Sequence, residues 1–129
     1  MAFQYVVKVV NDYLSSRISD IRFLTDVPET RPTTFVTTEA VPVGASHEGV
    51  KAEVLSRRRV IIYAWGADEL TAATLAEDIR SQLLIASRTT GSGLRRVVIV
   101  GEPARRDDPK TGHSRSVLTV DVTLRSANS

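Results

Sequence analysis

Apolar positions in the first stretch of the chain, Phe3, Val7, Val10 and Leu14, recur at spacings of four, three and four, with Val6 and Tyr13 beside the same stripe. That period predicts an amphipathic helix ending near Ser15-Ser16-Arg17. Its valines lower helix propensity and admit a strand, but strict alternation fails at Val6-Val7 and Val9-Val10. Ile21-Arg22-Phe23-Leu24 reads as a short strand. Pro28 and Pro32 follow and forbid a helix there, because each fixes φ and restricts the residue before it. Residues 33–41, rich in Thr and Val around Phe35, read as the next strand. Pro42, Gly44 and Gly49 then mark a loop with Ala45-Ser46-His47-Glu48 at its tip.

The second half is patterned more sharply. Residues 57–65 form a strand whose two faces, Val60-Ile62-Ala64 and Ile61-Tyr63-Trp65, are both apolar. This predicts a central strand covered on both sides. Gly66 ends it, and Asp68 is placed as an N-cap, with Glu69 in the first helical turn where the dipole favours an anion. Ala72, Leu75, Ala76, Ile79, Leu83 and Ala86 then keep helical spacing over about four turns. The alanines let such a helix sit close to a sheet. It stops at Thr89-Thr90-Gly91-Ser92-Gly93. A strand over residues 94–101, ended by Pro103, and a polar loop over residues 105–112 follow. In residues 116–125, Leu118, Val120, Val122 and Leu124 alternate with Thr119, Asp121 and Thr123, the pattern of a half-exposed antiparallel strand. The order helix, strand, strand, strand, helix, strand, strand predicts an α+β fold. It would be a mostly antiparallel sheet of about five strands with two helices packed on one or both faces.

Composition sets bounds on this picture. With 129 residues the chain makes one domain, residues 1–129, with a short polar tail at 126–129. Its 42% hydrophobic and 25% charged residues match an ordinary globular domain. No run approaches the roughly 18 apolar residues of a membrane span, and Met1-Ala2-Phe3-Gln4 lacks the basic and apolar regions of a signal peptide, so a cytoplasmic site of synthesis is expected. There is no cysteine, which excludes disulfides, thiolate metal sites and a thiol nucleophile. Seventeen Lys and Arg against 15 Asp and Glu give a net charge of +2, a weak field for a dedicated duplex-binding module, which needs several clustered phosphate contacts.

The search for chemistry yields little. His47 and His113 lie in expected loops without a carboxylate or histidine at helical spacing, and read as exposed loop residues. Thr90-Gly91-Ser92-Gly93 lacks the lysine and following helix of a phosphate-binding loop. Asp107-Asp108-Pro109 reads as a turn, since adjacent carboxylates point to different sides. Trp65, ending a central strand, reads as core. Three basic groups remain, Arg57-Arg58-Arg59, Arg95-Arg96 and Arg105-Arg106, each at a strand start or loop. They fit solvated strand ends, contacts with another subunit or acidic partner, or passing contacts with nucleic acid. No aromatic residue interleaves with them, which argues against stacking on single strands. The residues predict no enzyme, no metal and no cofactor.

Three segments carry a resemblance. Val27-Pro28-Glu29-Thr30-Arg31-Pro32, followed by Thr34-Phe35-Val36, is similar to a stretch of small tail proteins of long-tailed phages of actinobacterial hosts. Ala64-Trp65, Asp68-Glu69, Ala72-Ala73, Leu75-Ala76 and Ile79-Arg80 resemble a second segment of those proteins. Asp107-Asp108-Pro109 with residues 117–122 resembles their ending. Together the segments cover residues 5 to 125 of what looks like the phage tail terminator family, also called minor tail or tail completion proteins. The chain departs from the pattern at Ser116-Val117, where the family carries an aromatic residue, and in the longer stretch from Pro42 to Ser56. The resemblance implies a small α+β sheet with two helices. It also implies a ring of six copies capping the head-proximal end of the tail tube in the virion. Such a ring would end polymerisation of the major tail tube protein and offer a surface to the head–tail connector proteins, with genomic DNA passing through its lumen. On this reading Arg57, Arg58, Arg59, Arg95, Arg96, Arg105 and Arg106 contact neighbouring subunits or line the hole. A neck ring of the head-completion or stopper type stays open as an alternative, as does a small cytoplasmic nucleic-acid-binding regulator.

Overall fold

A computed structural model describes residues 5–29, 32–41, 55–89 and 91–125. Phe3, Thr30, Arg31, Thr90, residues 42–54, where the sequence predicts a loop carrying His47, and residues 126–129, where it predicts a polar tail, lie outside them. The elements run α1 (Val6–Arg17), β1 (Arg22–Leu24), β2 (Phe35–Val41), β3 (Leu55–Trp65), α2 (Glu69–Leu84), a short 3-10 turn (Ala86–Arg88), β4 (Leu94–Arg105) and β5 (Arg115–Arg125). The fold is α+β, and among the described residues the helices and strands follow the expected order.

The five strands form one sheet in the order β1-β2-β3-β5-β4. The β1–β2 pair is parallel and the other three are antiparallel. Opposed residues share a face, so the pairs Val36–Ala64, Ile62–Leu118 and Val60–Val120 place one apolar stripe on one side of the sheet. Both helices cover that side. From α1 come Val7, Val10 and Leu14, and from α2 Ala72, Ala76, Ile79 and Leu83, all fully buried in one cluster with the sheet residues. Tyr13 joins the two helices by donating its hydroxyl to the Gln82 carbonyl at 2.6 Å. The N-cap of α2 is Asp68, whose carboxylate accepts the Thr71 amide at 2.8 Å. That bond satisfies one of the orphan donors of the first turn.

Three expectations are corrected. First, β3 is central, but among the described residues helices lie on one side of it only. On its second face Trp65 is buried and stacks on Phe35, ring centroids 5.2 Å apart, while Ile61 and Tyr63 are half-buried. Second, β4 does not end at Pro103 but runs to Arg105. As an edge strand it tolerates a residue without an amide donor. Third, α2 ends at Leu84, and Ala86 belongs to the following 3-10 turn, which still buries it. The turn keeps the helical apolar spacing for one more residue.

Candidate functional site

Strand alternation sorts the open face of the sheet. Leu118, Val120, Val122 and Leu124 of β5 point into the core, so Arg115, Val117, Thr119, Asp121 and Thr123 point away from the helices. Their partners on β3 are Trp65, Tyr63, Ile61, Arg59 and Arg57. At one end of this face the Arg115 guanidinium lies over the Tyr63 ring, 4.6 Å from its centroid, and over the Trp65 ring at 5.0 Å. The Tyr63 hydroxyl donates to Glu39 at 3.1 Å. Burial first, and then this bond to a carboxylate, push the Tyr63 phenol above its ordinary pKa. The buried Trp65 indole donates to Thr37 at 3.0 Å.

The structure separates the seven candidate arginines. Arg57, Arg58, Arg59, Arg95 and Arg96 gather at the end of the sheet where β3 and β4 begin. Arg105 and Arg106 lie at the opposite end. Within the first group the side chains diverge. Arg59 forks onto Asp121 at 2.6 and 3.0 Å, and that hydrogen bond raises its pKa further. Arg58 is opposite Val122, on the helix side of the sheet, and its guanidinium donates to the Arg57 carbonyl at 3.2 Å. Arg57 and Arg96 are both partners of Thr123, one on each flank. Two strand spacings put them about 10 Å apart on the open face. Both are exposed, as is Arg95.

At the far end Arg105 bridges Asp107 at 3.0 Å and Glu69 at 2.8 Å, tying β4 to the first turn of α2. The Asp107 carboxyl is held below the usual carboxylate range by that guanidinium. Arg106 is exposed and its backbone amide closes the turn onto the Arg115 carbonyl. The Asp107-Asp108 pair behaves as a turn: Asp108 accepts the Lys110 amide and the Thr111 hydroxyl. His113 is exposed, its Nδ1 2.6 Å from the Thr111 hydroxyl. Among the described residues no three His, Asp or Glu side chains converge as a metal-binding group. No helix among them is long and apolar enough to cross a membrane.

The sequence reading passed over four features. One is Arg115, whose role depends on the register that lays it over two aromatic rings. The others are Glu39 and two exposed valines of β4, Val98 and Val100, at 42% and 48%. Exposure alternates along β4, but the sequence hides it because Val97, Val98, Ile99 and Val100 are all apolar. A cleft of about 530 Å³ opens where β1 stops, lined by Tyr5, Thr25, Asp26, Val27, residues 37–40 and Tyr63. No family model matches the chain, and no curated protein matches it.

Proposed function

We propose that the chain is a structural subunit of a phage virion, assembling into a ring at the head-proximal end of the tail tube. The ring, of six copies, ends tube polymerisation and presents a surface to the head–tail connector, and genomic DNA passes through it without specific binding. Terminator-like segments in the expected order support this reading. The observation that carries it is the open sheet with two unlike edges. A closed ring is built from heterologous contacts, each using two different patches of the same subunit. Here one edge is the long β4 and the other is β1 with the end of β2. A net charge of +2 also suits a channel through which DNA must slide, since tight phosphate binding would retain the genome.

The test is native mass spectrometry or light scattering of the purified chain, alone and with the tail tube, followed by imaging of virions. A ring-sized assembly at the last tube layer is expected, and tails of uncontrolled length when the chain is absent. A stable dimer that binds DNA with an affinity falling steeply with salt would refute the reading.

A further inference from the structure

We propose that the ring interface is a β-ladder: the first half of β4 in one copy pairs with the free end of β2 in the next. This rests on the ring reading and names the surfaces that build it.

Among the described residues both edges carry an unpaired stretch of matching length. On one side β1 pairs only with Phe35, Val36 and Thr37. Beyond Thr37, residues 38–41 have no strand partner on that edge among the described residues, and the cleft opens beside them. On the other side, among the described residues, β4 pairs with β5 by one edge only. Edge strands recruit other chains unless charges, prolines or bulges blunt them. The second half of β4 is blunted: register shifts fall between Ile99 and Gly101 and between Gly101 and Ala104, and Pro103 lies in it. Its side chains are also engaged, Arg80 on Glu102 and Arg105 on Glu69. The stretch from Arg96 to Ile99 holds its register, and it carries the exposed Val98 with Val100 just beyond.

Direction follows from topology. β4 runs parallel to β3 and so antiparallel to β2. A copy added head to tail continues the sheet with strand senses kept, so β4 meets β2 antiparallel, the ladder with the better hydrogen bonds. Level follows from the rungs. Val41, Arg59, Asp121 and Val98 share one rung, and Ala40, Val60, Val120 and Ile99 the next. A level continuation therefore sets Val98 beside Val41, beyond the end of β1. Closing a sheet requires a stagger between strands. A stagger of two puts Arg96 opposite Val41, with Glu39 at the diagonal position that long side chains reach. Charge agrees in sign: Arg95 and Arg96 stand on the β4 edge, and Asp26 and Glu39 border the gap. Val27, also exposed at the cleft, offers apolar surface to the β4 valines.

The chain has no cysteine, so introduced thiols report contacts cleanly. Val41→Cys with Val98→Cys reads the level register, and Val41→Cys with Arg96→Cys the staggered one. Under oxidation of the assembled protein, one of the pairs is expected to give a reducible ladder of covalent multimers up to ring size. Val41→Cys alone gives none. A ring on native mass spectrometry with no ladder from either pair overturns the edge pairing and leaves the ring reading standing. Strong dimers from Val41→Cys alone mean a two-fold contact and overturn the proposal. A monomer with and without the tail tube overturns both readings. Charge reversal gives a second measurement. Arg95→Glu with Arg96→Glu, or Asp26→Lys with Glu39→Lys, lowers assembly about tenfold or more. Mixing the two variants restores it, because each reversed edge meets a reversed partner. Failure of the mixture to assemble while both variants melt as the parent does would overturn the assigned orientation.

Discussion

Gly66 sets how closely α2 approaches the sheet, and Gly66→Ala measures it. A Cβ at this position would stand 2.6 Å from the Ala72 nitrogen and 3.1 Å from both the Ala72 Cα and the Thr71 carbonyl carbon. All three are helix backbone atoms, so no rotamer change can give way. Relief to an ordinary contact takes about 1 Å of movement of the helix start or of the strand end. A radial gap of about 0.5–1 Å forfeits a quarter to a half of the dispersion well for the atoms it separates. The atoms at risk belong to the buried stripe of α2, Leu75, Ile79 and Leu83, in the core cluster with the sheet. Overpacking costs typically about 1–3 kcal/mol, and a backbone-only clash belongs to the upper part, about 2–3 kcal/mol. For a domain of this length each kcal/mol moves Tm by about 3–5 °C, so a fall of about 6–15 °C is expected.

Backbone strain does not cloud the measurement, because among the described residues the positive-φ glycines are Gly91, Gly93 and Gly112, not Gly66. Gly101→Ala serves as the control. Its Cβ would meet the Thr119 side chain at 3.4 Å, ordinary contact, and the loss of unfolded-state freedom offsets any small cost. Urea unfolding followed by fluorescence of Trp65, the single tryptophan, gives both values, with circular dichroism as a check because Trp65 adjoins the mutated site. If Gly66→Ala unfolds within about 0.5 kcal/mol of the parent, the close seat of α2 on the end of β3 is wrong.

Leu83→Ala, at a fully buried site, should cost about 2–5 kcal/mol in the same assay, whereas Val98→Ala on the exposed edge should stay within about 0.5 kcal/mol; equal effects would refute the assigned core. Trp65→Phe deprives the buried Thr37 hydroxyl of its donor, at a cost of about 1–3 kcal/mol. Adding Thr37→Val should then cost less than it does alone, and strict additivity in that cycle would dissolve the pair. The Thr71 amide on Asp68 and the Arg105 guanidinium on Asp107 both lower these carboxyls below the ordinary 3.8. Their contribution is complete above pH 3.8 and is lost as pH falls through the lower folded values. The stability gap between the parent and Asp68→Asn with Asp107→Asn should therefore be flat at higher pH and narrow only in strong acid. A gap that persists unchanged there would count against both contacts.

The helices and the order of strands were legible because one periodicity dominates each segment. Ala72, Leu75, Ala76, Ile79 and Leu83 could serve only a helix with one buried face, and Leu118 to Leu124 only a strand with one. Asp68 was readable as a cap from its place before that helix. What the sequence hid depends on pairing between distant segments. The parallel β1–β2 pair, which among the described residues leaves 38–41 without a partner strand on that edge, has no local signature. Pro103 suggested a strand end because a proline says nothing about which edge of a sheet it occupies. The apolar second face of β3 suggested a second layer; among the described residues it is met by Phe35, Arg115 and Glu39 from within the sheet.

The arginine groups show what a linear reading of charge leaves out. Adjacent in sequence, Arg57, Arg58 and Arg59 look like one basic patch. In the sheet, alternation divides them: Arg58 goes to the helix side, while Arg57 and Arg59 go to the open face. Arg59 is then taken up by Asp121 in a two-pronged contact inside the molecule, and Arg105 likewise by Glu69 and Asp107. Side chains committed in this way hold the sheet and the α2 start together, so reversing them perturbs the fold before it reaches any partner. Arg95 and Arg96 differ, standing exposed at the edge of the sheet beside the valines of β4. A basic edge at one end of the strand order and carboxylates beside the gap at the other give each subunit two patches of opposite sign. That polarity, rather than the net charge of +2, is what a head-to-tail contact can use.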